Sequence, residues 1–136
     1  MSGGWCFPLY ACSRGIIKRY TPFLEKIDLT YTQYIAMMVL WEKKQISVKE
    51  LGKCLFLDSG TLTPLLKKLE QKGYVTRTRS EEDERVLIAA ITPKGEDLKD
   101  EAVLIPQKMM ARAALPQEKA AQLYTLLYEL LNTLEK

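Results

Sequence analysis

Three cysteines and the complete absence of histidine limit the chemistry of this 136-residue chain. Cys6, Cys12 and Cys54 are odd in number and contain no Cys-x-x-Cys pair, so they predict neither a disulfide framework nor a zinc site. Without histidine the chain lacks the commonest zinc ligand and the usual general base of hydrolases. We therefore expect no cofactor, no metal and no conventional enzyme, and a reactive thiol is the chemistry that remains.

Positive charge is concentrated in the middle of the chain. The whole sequence carries a net charge of +3, whereas the segment from Lys43 to Arg79 holds nine basic and three acidic residues, a balance of +6. A locally basic segment is what the phosphate backbone of DNA selects. No apolar run approaches the ~20 residues that span a membrane, and no signal peptide is apparent. We expect a cytoplasmic protein with no membrane partner.

The elements that must position these residues follow from the apolar periodicity. It predicts one helix from about Cys6 to Leu24, a second from Thr30, and a short third from Ser47 to near Phe56. The next helix has an apolar stripe at i, i+3, i+4 and i+7, with Ser59 as its expected N-cap and Gly73 after its end. The stripe consists of Leu62, Leu65, Leu66 and Leu69.

A change of period after Gly73 indicates a β-hairpin. Tyr74–Arg79 and Val86–Ile91 read as strands around a polar tip, Ser80–Arg85. Thr92 and Pro93 then predict a helix to about Ile105, and a last helix begins near Pro116. This order predicts a mainly α fold with a small β-hairpin wing, that is, a winged helix-turn-helix.

The polar face of the helix after Ser59 and the wing are the candidate contacts to double-stranded DNA. Short polar side chains at a helix N-terminus reach base edges in the major groove, and lysines and arginines contact phosphates or enter the minor groove. The candidates are Ser59, Gly60, Thr61, Thr63, Pro64, Lys67 and Lys68 on the helix and Arg77, Arg79, Asp83 and Arg85 on the wing. We expect Asp83 to pair with Arg85 and orient its guanidinium. The alternative is a merely solvated helix face beside a surface hairpin.

Two motifs resemble the MarR family of bacterial regulators, and within it the branch of organic hydroperoxide resistance regulators and their staphylococcal one-cysteine relatives. They are the run from Asp58 to Pro64 and the Asp83-x-Arg85 wing. The resemblance implies a homodimer that acts as a repressor on a pseudo-palindromic operator. It implies a helical dimerisation region at 1–28 and 93–136 and a DNA-binding lobe at 30–92.

The same resemblance implies that Cys6 senses peroxide. Tyr10, Tyr20 and Tyr31 fall on the positions that support the thiolate in this branch. Fourteen residues of continuous helix separate Cys6 from Tyr20, about 21 Å, so we expect their contact to cross the dimer interface. An organic hydroperoxide would give a sulfenic acid, which condenses with a small thiol. Cys12 and Cys54 are expected to be packing residues.

Two other functions remain open on the sequence. Cys6 could belong to a thiol enzyme that consumes peroxide, although a complete DNA-reading module and the lack of a cysteine after Cys54 disfavour it. The chain could instead be a regulator that binds a drug or phenolic ligand, with Cys6 purely structural. Trp5, Tyr31, Tyr34 and Trp41 would then line an apolar pocket, although core packing is the usual role of such residues.

Overall fold

The computed structural model describes residues 4–112 and 115–134, which form two compact units, one up to Ile105 and one from Pro106 onward. The elements in chain order are α1 (Cys6–Glu25), α2 (Tyr31–Lys43), β1 (Gln45–Ser47), α3 (Val48–Leu55), α4 (Ser59–Gln71), β2 (Val75–Arg79), β3 (Leu87–Ile91), α5 (Pro93–Ala102), α6 (Ile105–Arg112) and α7 (Gln117–Thr133). This is the predicted winged helix-turn-helix order.

Side-chain caps fix where the helices begin. Thr30 and Gln33 form a reciprocal capping box at α2, and the Ser47 hydroxyl accepts the Glu50 amide at α3. The predicted N-cap of α4 is wrong by one residue. Asp58 is the cap and accepts the Thr61 amide at 2.8 Å, while Ser59 is the first helical residue. A carboxylate in this position also interacts favourably with the helix dipole.

A three-stranded antiparallel sheet with the order β1-β3-β2 forms the wing and its base. The β2–β3 hairpin pairs Val75 with Ile91 and Arg79 with Leu87, as the period change predicted. The additional strand β1 pairs Gln45 with Ala90 and was not predicted. Three residues are too few for a period-2 pattern to stand out from the flanking sequence.

The core of the first unit holds α4 in place. Leu62, Leu66 and Leu69 are almost completely buried, and Leu65 is buried as well, so the predicted stripe is confirmed. Leu40 and Leu51 pack into the same core from α2 and α3. Because the leucine face of α4 is buried in this core, the opposite face of the helix points to solvent.

The helix predicted from Pro93 to about Ile105 is present as α5 and is about three residues shorter, and a separate helix, α6, which was not predicted, follows it. α5 ends at Ala102, and α6 begins at Ile105. Pro106 explains the break, because its ring would clash with the carbonyl four residues earlier and could not donate the next helical hydrogen bond. α7 starts just after Pro116 as predicted, and within the second unit Leu123, Leu126 and Leu127 are exposed.

α1 is one unbroken helix. Pro8 lies in its first turn, as expected, and Pro22 lies near its end without interrupting it. Every residue of α1 before Tyr20 is exposed in the single chain. In the described part of the chain, no helix combines the length and apolar character that crossing a membrane requires.

Candidate DNA interface and thiol site

The N-terminal half of α4 presents most of the predicted DNA contacts on one open surface. Ser59, Gly60, Thr61 and Pro64 are exposed, and Thr63 is half-buried. A Cβ built on Gly60 would meet nothing closer than Asp58 Oδ1 at 3.5 Å, so the fold itself leaves room for a side chain there. Lys67 and Lys68 continue the exposed surface into the following turn.

At the wing tip, Asp83 fixes the orientation of Arg85. The guanidinium donates through Nε to Oδ1 at 3.1 Å and through Nη2 to Oδ2 at 3.2 Å, and the Arg85 amide donates to Oδ1. These hydrogen bonds from Arg85 lower the pKa of the Asp83 carboxyl. The Arg85 side chain remains 90% exposed. The predicted pair is confirmed, and it leaves the Arg85 guanidinium exposed to solvent.

Arg77 is placed differently from the expectation. Its Nη2 donates to Glu70 Oε1 at 3.0 Å, and its side chain is only 17% exposed. The guanidinium therefore ties the base of the wing to the last turn of α4 instead of facing outward. Arg79, two residues further along β2, is exposed. Glu70 was missed, because nothing in the local sequence indicates a partner on the following strand.

Three tyrosines meet where α1 runs alongside α2. The rings of Tyr20 and Tyr31 lie 5.4 Å apart edge to face, and Tyr34 lies 6.0 Å from Tyr20. Burial raises the pKa of Tyr20 and of Tyr31, and it raises the pKa of Tyr34 to about 12. All three phenols therefore keep their protons at neutral pH and can act as hydrogen-bond donors.

The tyrosine pair and Cys6 lie at opposite ends of α1. Cys6 is the first residue of the helix and is exposed, and Tyr10 one turn later lies under Arg14, 5.6 Å from the ring centre. Because α1 is continuous, Tyr20 is about 21 Å from its own Cys6. A single chain thus brings Tyr20 and Tyr31 together but does not bring them to its own thiol.

Cys54 and Cys12 were both expected to be packing residues, and the structure contradicts this expectation for Cys54. Cys54 is exposed on α3, so the expectation that it packs in the core is wrong. The buried face of α3 is formed by Leu51 and Gly52. Cys12 is exposed on the single chain, and because it lies on α1, its packing stays a prediction about the dimer.

The aromatic residues that could have lined a ligand pocket are largely core residues. Tyr34 and Trp41 are buried and their rings are 6.4 Å apart. The Trp41 indole donates to the Gly95 carbonyl at 2.8 Å, which ties α2 to α5. Trp5 is exposed at the far end of α1. Core packing is thus the observed role of two of the four.

Comparison with known proteins agrees with this architecture. The family model described as transcriptional regulator SarA/Rot matches residues 18–102, more than half of the chain. The chain belongs to this SarA/Rot-type group of MarR-family regulators. It is a winged-helix DNA-binding transcriptional regulator.

Several transcriptional regulators are similar to this protein over nearly its full length. The organic hydroperoxide resistance transcriptional regulator of Bacillus subtilis is 48% identical, covering 96% of this chain and 89% of its own length. The regulator SarZ of Staphylococcus saprophyticus is 46% identical, covering 93% and 87%. AbfR of Staphylococcus epidermidis is 32% identical, with a TM-score of 0.79 and coverage of 96% and 91%. AbfR has been solved bound to DNA in its reduced form and in its overoxidised form.

Proposed function

We propose that this regulator binds a pseudo-palindromic operator as a homodimer, acting as a repressor, and releases it when an organic hydroperoxide oxidises Cys6. The observation that carries the proposal is the unbroken α1 helix, which joins an exposed thiol at one end to a half-buried pair of tyrosine donors at the other. The pair can serve a Cys6 only from a second copy of the chain.

The exposed apolar side chains of α1 support the proposed dimer. The exposed residues of this helix include large apolar side chains, among them Phe7, Leu9, Ile16 and Ile17. A helix that buries none of its first turns gains little from its own backbone, because isolated helices are marginal in water. The second unit adds exposed leucines on α7. Exposed apolar side chains clustered on a helix, within either unit taken by itself, mark protein–protein contacts.

The chemistry proceeds through the thiolate. The Cys6 sulfur attacks the O–O bond of the hydroperoxide, the bond breaks, and the leaving alkoxide takes a proton to become an alcohol. Sulfur is left as a sulfenic acid. A small thiol then displaces its oxygen as water, which leaves a mixed disulfide. Phenol donors from Tyr20 and Tyr31 of the other copy stabilise the thiolate without adding charge, with Tyr10 one turn from the sulfur.

On the DNA side, α4 enters the major groove and the wing follows the adjacent backbone. Ser59, Gly60, Thr61, Thr63 and Pro64 face the bases, and Lys67 and Lys68 face phosphates. Arg85, held by Asp83, reaches the minor groove beside Arg79, while Arg77 positions the wing. Two α4 helices must lie about 34 Å apart to reach successive half-sites. A bulky disulfide at the dimer seam changes that spacing and releases the DNA.

The first experiment is a fluorescence anisotropy titration of reduced protein into a duplex from its own promoter. An organic hydroperoxide is then added with and without a small thiol, and Cys6→Ser is run in parallel. We expect release by the native protein only, and most completely with the thiol present. Tight binding by both proteins, indifferent to oxidant, would return Cys6 to a structural role and leave only the DNA-binding function.

Dimerisation is tested separately by sedimentation at micromolar concentration. We expect a dimer in the reduced state. A monomer would contradict both the half-site spacing and the placement of the tyrosines opposite a second chain's Cys6.

A further inference from the structure

Gln33 of α2 and Lys72 at the end of α4 form a polar contact between the tyrosine-bearing helix and the DNA-reading helix. Gln33 is a buried polar side chain of the first unit, 6% exposed. Its Oε1 accepts the Thr30 amide at 3.1 Å and closes the α2 capping box. The same oxygen accepts from Lys72 Nζ at 2.9 Å. An amide oxygen has two lone pairs, so one atom satisfies both donors.

The Lys72 ammonium contacts both Gln33 and Asp28. It is the C-cap residue of α4, and besides Gln33 its ammonium donates to the Asp28 carbonyl at 2.5 Å and lies 3.5 Å from the Asp28 carboxylate. Its side chain is 23% exposed. Lysine has three donors, and two of them form hydrogen bonds here, one to the α1–α2 connection and one to the start of α2. Holding so flexible a side chain in one geometry needs charge-assisted hydrogen bonds such as these.

The backbone around Lys72 is itself anchored. Lys94 Nζ donates to the Lys72 carbonyl at 2.9 Å, and the Thr92 hydroxyl donates to the Gly73 carbonyl at 2.6 Å. The end of α4 is therefore fixed to α5 on one side and to α2 on the other. A displacement at the start of α2 is therefore transmitted to an end of α4 whose backbone is fixed by hydrogen bonds.

Tyr31 and Tyr34 flank Gln33 in the first turn of α2, and both are close to Tyr20. We propose that Gln33 and Lys72 are positioning residues that couple this turn, and with it the tyrosine site, to the C-terminal end of α4. The proposal rests on the proposed function for the roles of α4 and of the tyrosines. We refer to the Gln33–Lys72–Asp28 contact as the α2–α4 clamp.

The length of α4 converts a small tilt at its C-terminal end into a displacement of its N-terminal residues. α4 has 13 residues, which at 1.5 Å each span roughly 20 Å. A tilt of about 3° imposed at the clamped end displaces Ser59 and Thr61 by ~1 Å over that length. Base contacts depend on hydrogen-bond geometry and are sensitive to such a shift.

The test uses the full-length protein with Cys6→Ser, so that oxidation plays no part. Hydrogen exchange of peptides from the first turn of α2 is compared with and without the promoter duplex. The clamp is removed by Lys72→Met, which keeps the apolar stem. Lys44→Met is the matched control, because the Lys44 ammonium also ties the end of α2 to another helix, α5, through Glu96 at 2.7 Å. Lys72→Arg is the conservative variant.

We expect DNA to slow exchange in this turn by roughly two- to thirtyfold, the range over which single residues modulate coupling between sites. Lys44→Met should keep this protection, Lys72→Met should lose it, and Lys72→Arg should restore part of it. Thermal melts check that each variant is folded. A Lys72→Met variant that is destabilised but still protected on DNA binding would show that the clamp is only structural.

Protection that persists in Lys72→Met, or that is absent already in the Cys6→Ser parent, overturns the proposal. In the first case the apolar packing of α2 against α4 carries the coupling, and in the second case there is none. Failure of the redox proposal is seen instead as promoter binding by the native protein that ignores oxidant. The two results are independent because the exchange experiment contains no Cys6 thiol.

Discussion

Asp83→Ala is expected to weaken DNA binding even though it removes a negative charge from the wing, which we propose faces the DNA. Charge alone predicts the opposite sign, since phosphates repel carboxylates. The structure predicts the loss because two hydrogen bonds of 3.1 and 3.2 Å hold the otherwise 90% exposed Arg85 side chain. Without them the side chain must be ordered when DNA binds. Ordering one such side chain lowers affinity roughly two- to twelvefold.

Glu84→Ala is the matched control for that experiment. Glu84 is the next residue, is exposed, and has no ion pair within the described ranges of the chain. Its removal changes the net charge equally and should leave affinity unchanged or slightly higher. Arg85→Ala removes the contact itself and should lose on the order of tenfold or more. All are measured by anisotropy on one promoter duplex at one salt concentration.

The reasoning is refuted if Asp83→Ala and Glu84→Ala shift the affinity in the same direction by similar factors. That result would mean that the wing acts through net charge, and that the Asp83–Arg85 geometry has no part in binding. The pairing itself should be constant across neutral pH. The pKa of Asp83 is lowered by its bonds from Arg85, so the pair is present above that pKa and is lost only in acid, as pH falls through it.

Four further changes test other parts of the structure. Gly60→Ala should leave stability unchanged or raise it by up to about 1 kcal/mol in urea denaturation, because the fold leaves room for the Cβ, yet weaken promoter binding; unchanged binding would place DNA farther from α4. Trp41→Phe should lower the free energy of unfolding by about 1–3 kcal/mol through loss of the Gly95 bond, and an unchanged urea midpoint at fixed protein concentration would contradict this. Burial raises the pKa of Tyr34 to about 12, so the contribution of its protonated phenol to the free energy of unfolding should be complete below pH ~10 and should decrease as pH rises toward 12. Tyr34→Phe should reduce this loss of stability at alkaline pH. Tyr31→Phe should slow peroxide oxidation of Cys6 because the thiolate loses a donor, and an unaltered rate–pH profile would reject the assignment.

The local sequence determined most of the elements of this protein. The leucine stripe of α4, the Thr30–Gln33 capping box, the Thr92-Pro93 helix start and the β2–β3 hairpin each depend on interactions within a few residues. Such interactions leave a readable pattern, either a period or a cap. The Asp83–Arg85 pair was predictable for the same reason, since its members are two residues apart.

Tertiary structure decided the contacts between distant segments. Cys54 was expected in the core and is exposed, because which face of a short helix is buried depends on its neighbours. Arg77 had the same local pattern as Arg79, and only the approach of β2 to α4 gave it Glu70 as a partner. Lys72 reaches Gln33 across 39 positions of sequence. A periodic pattern specifies which face of an element is apolar, but the partner that covers that face, or bonds to its edge, is set by how all the elements pack together.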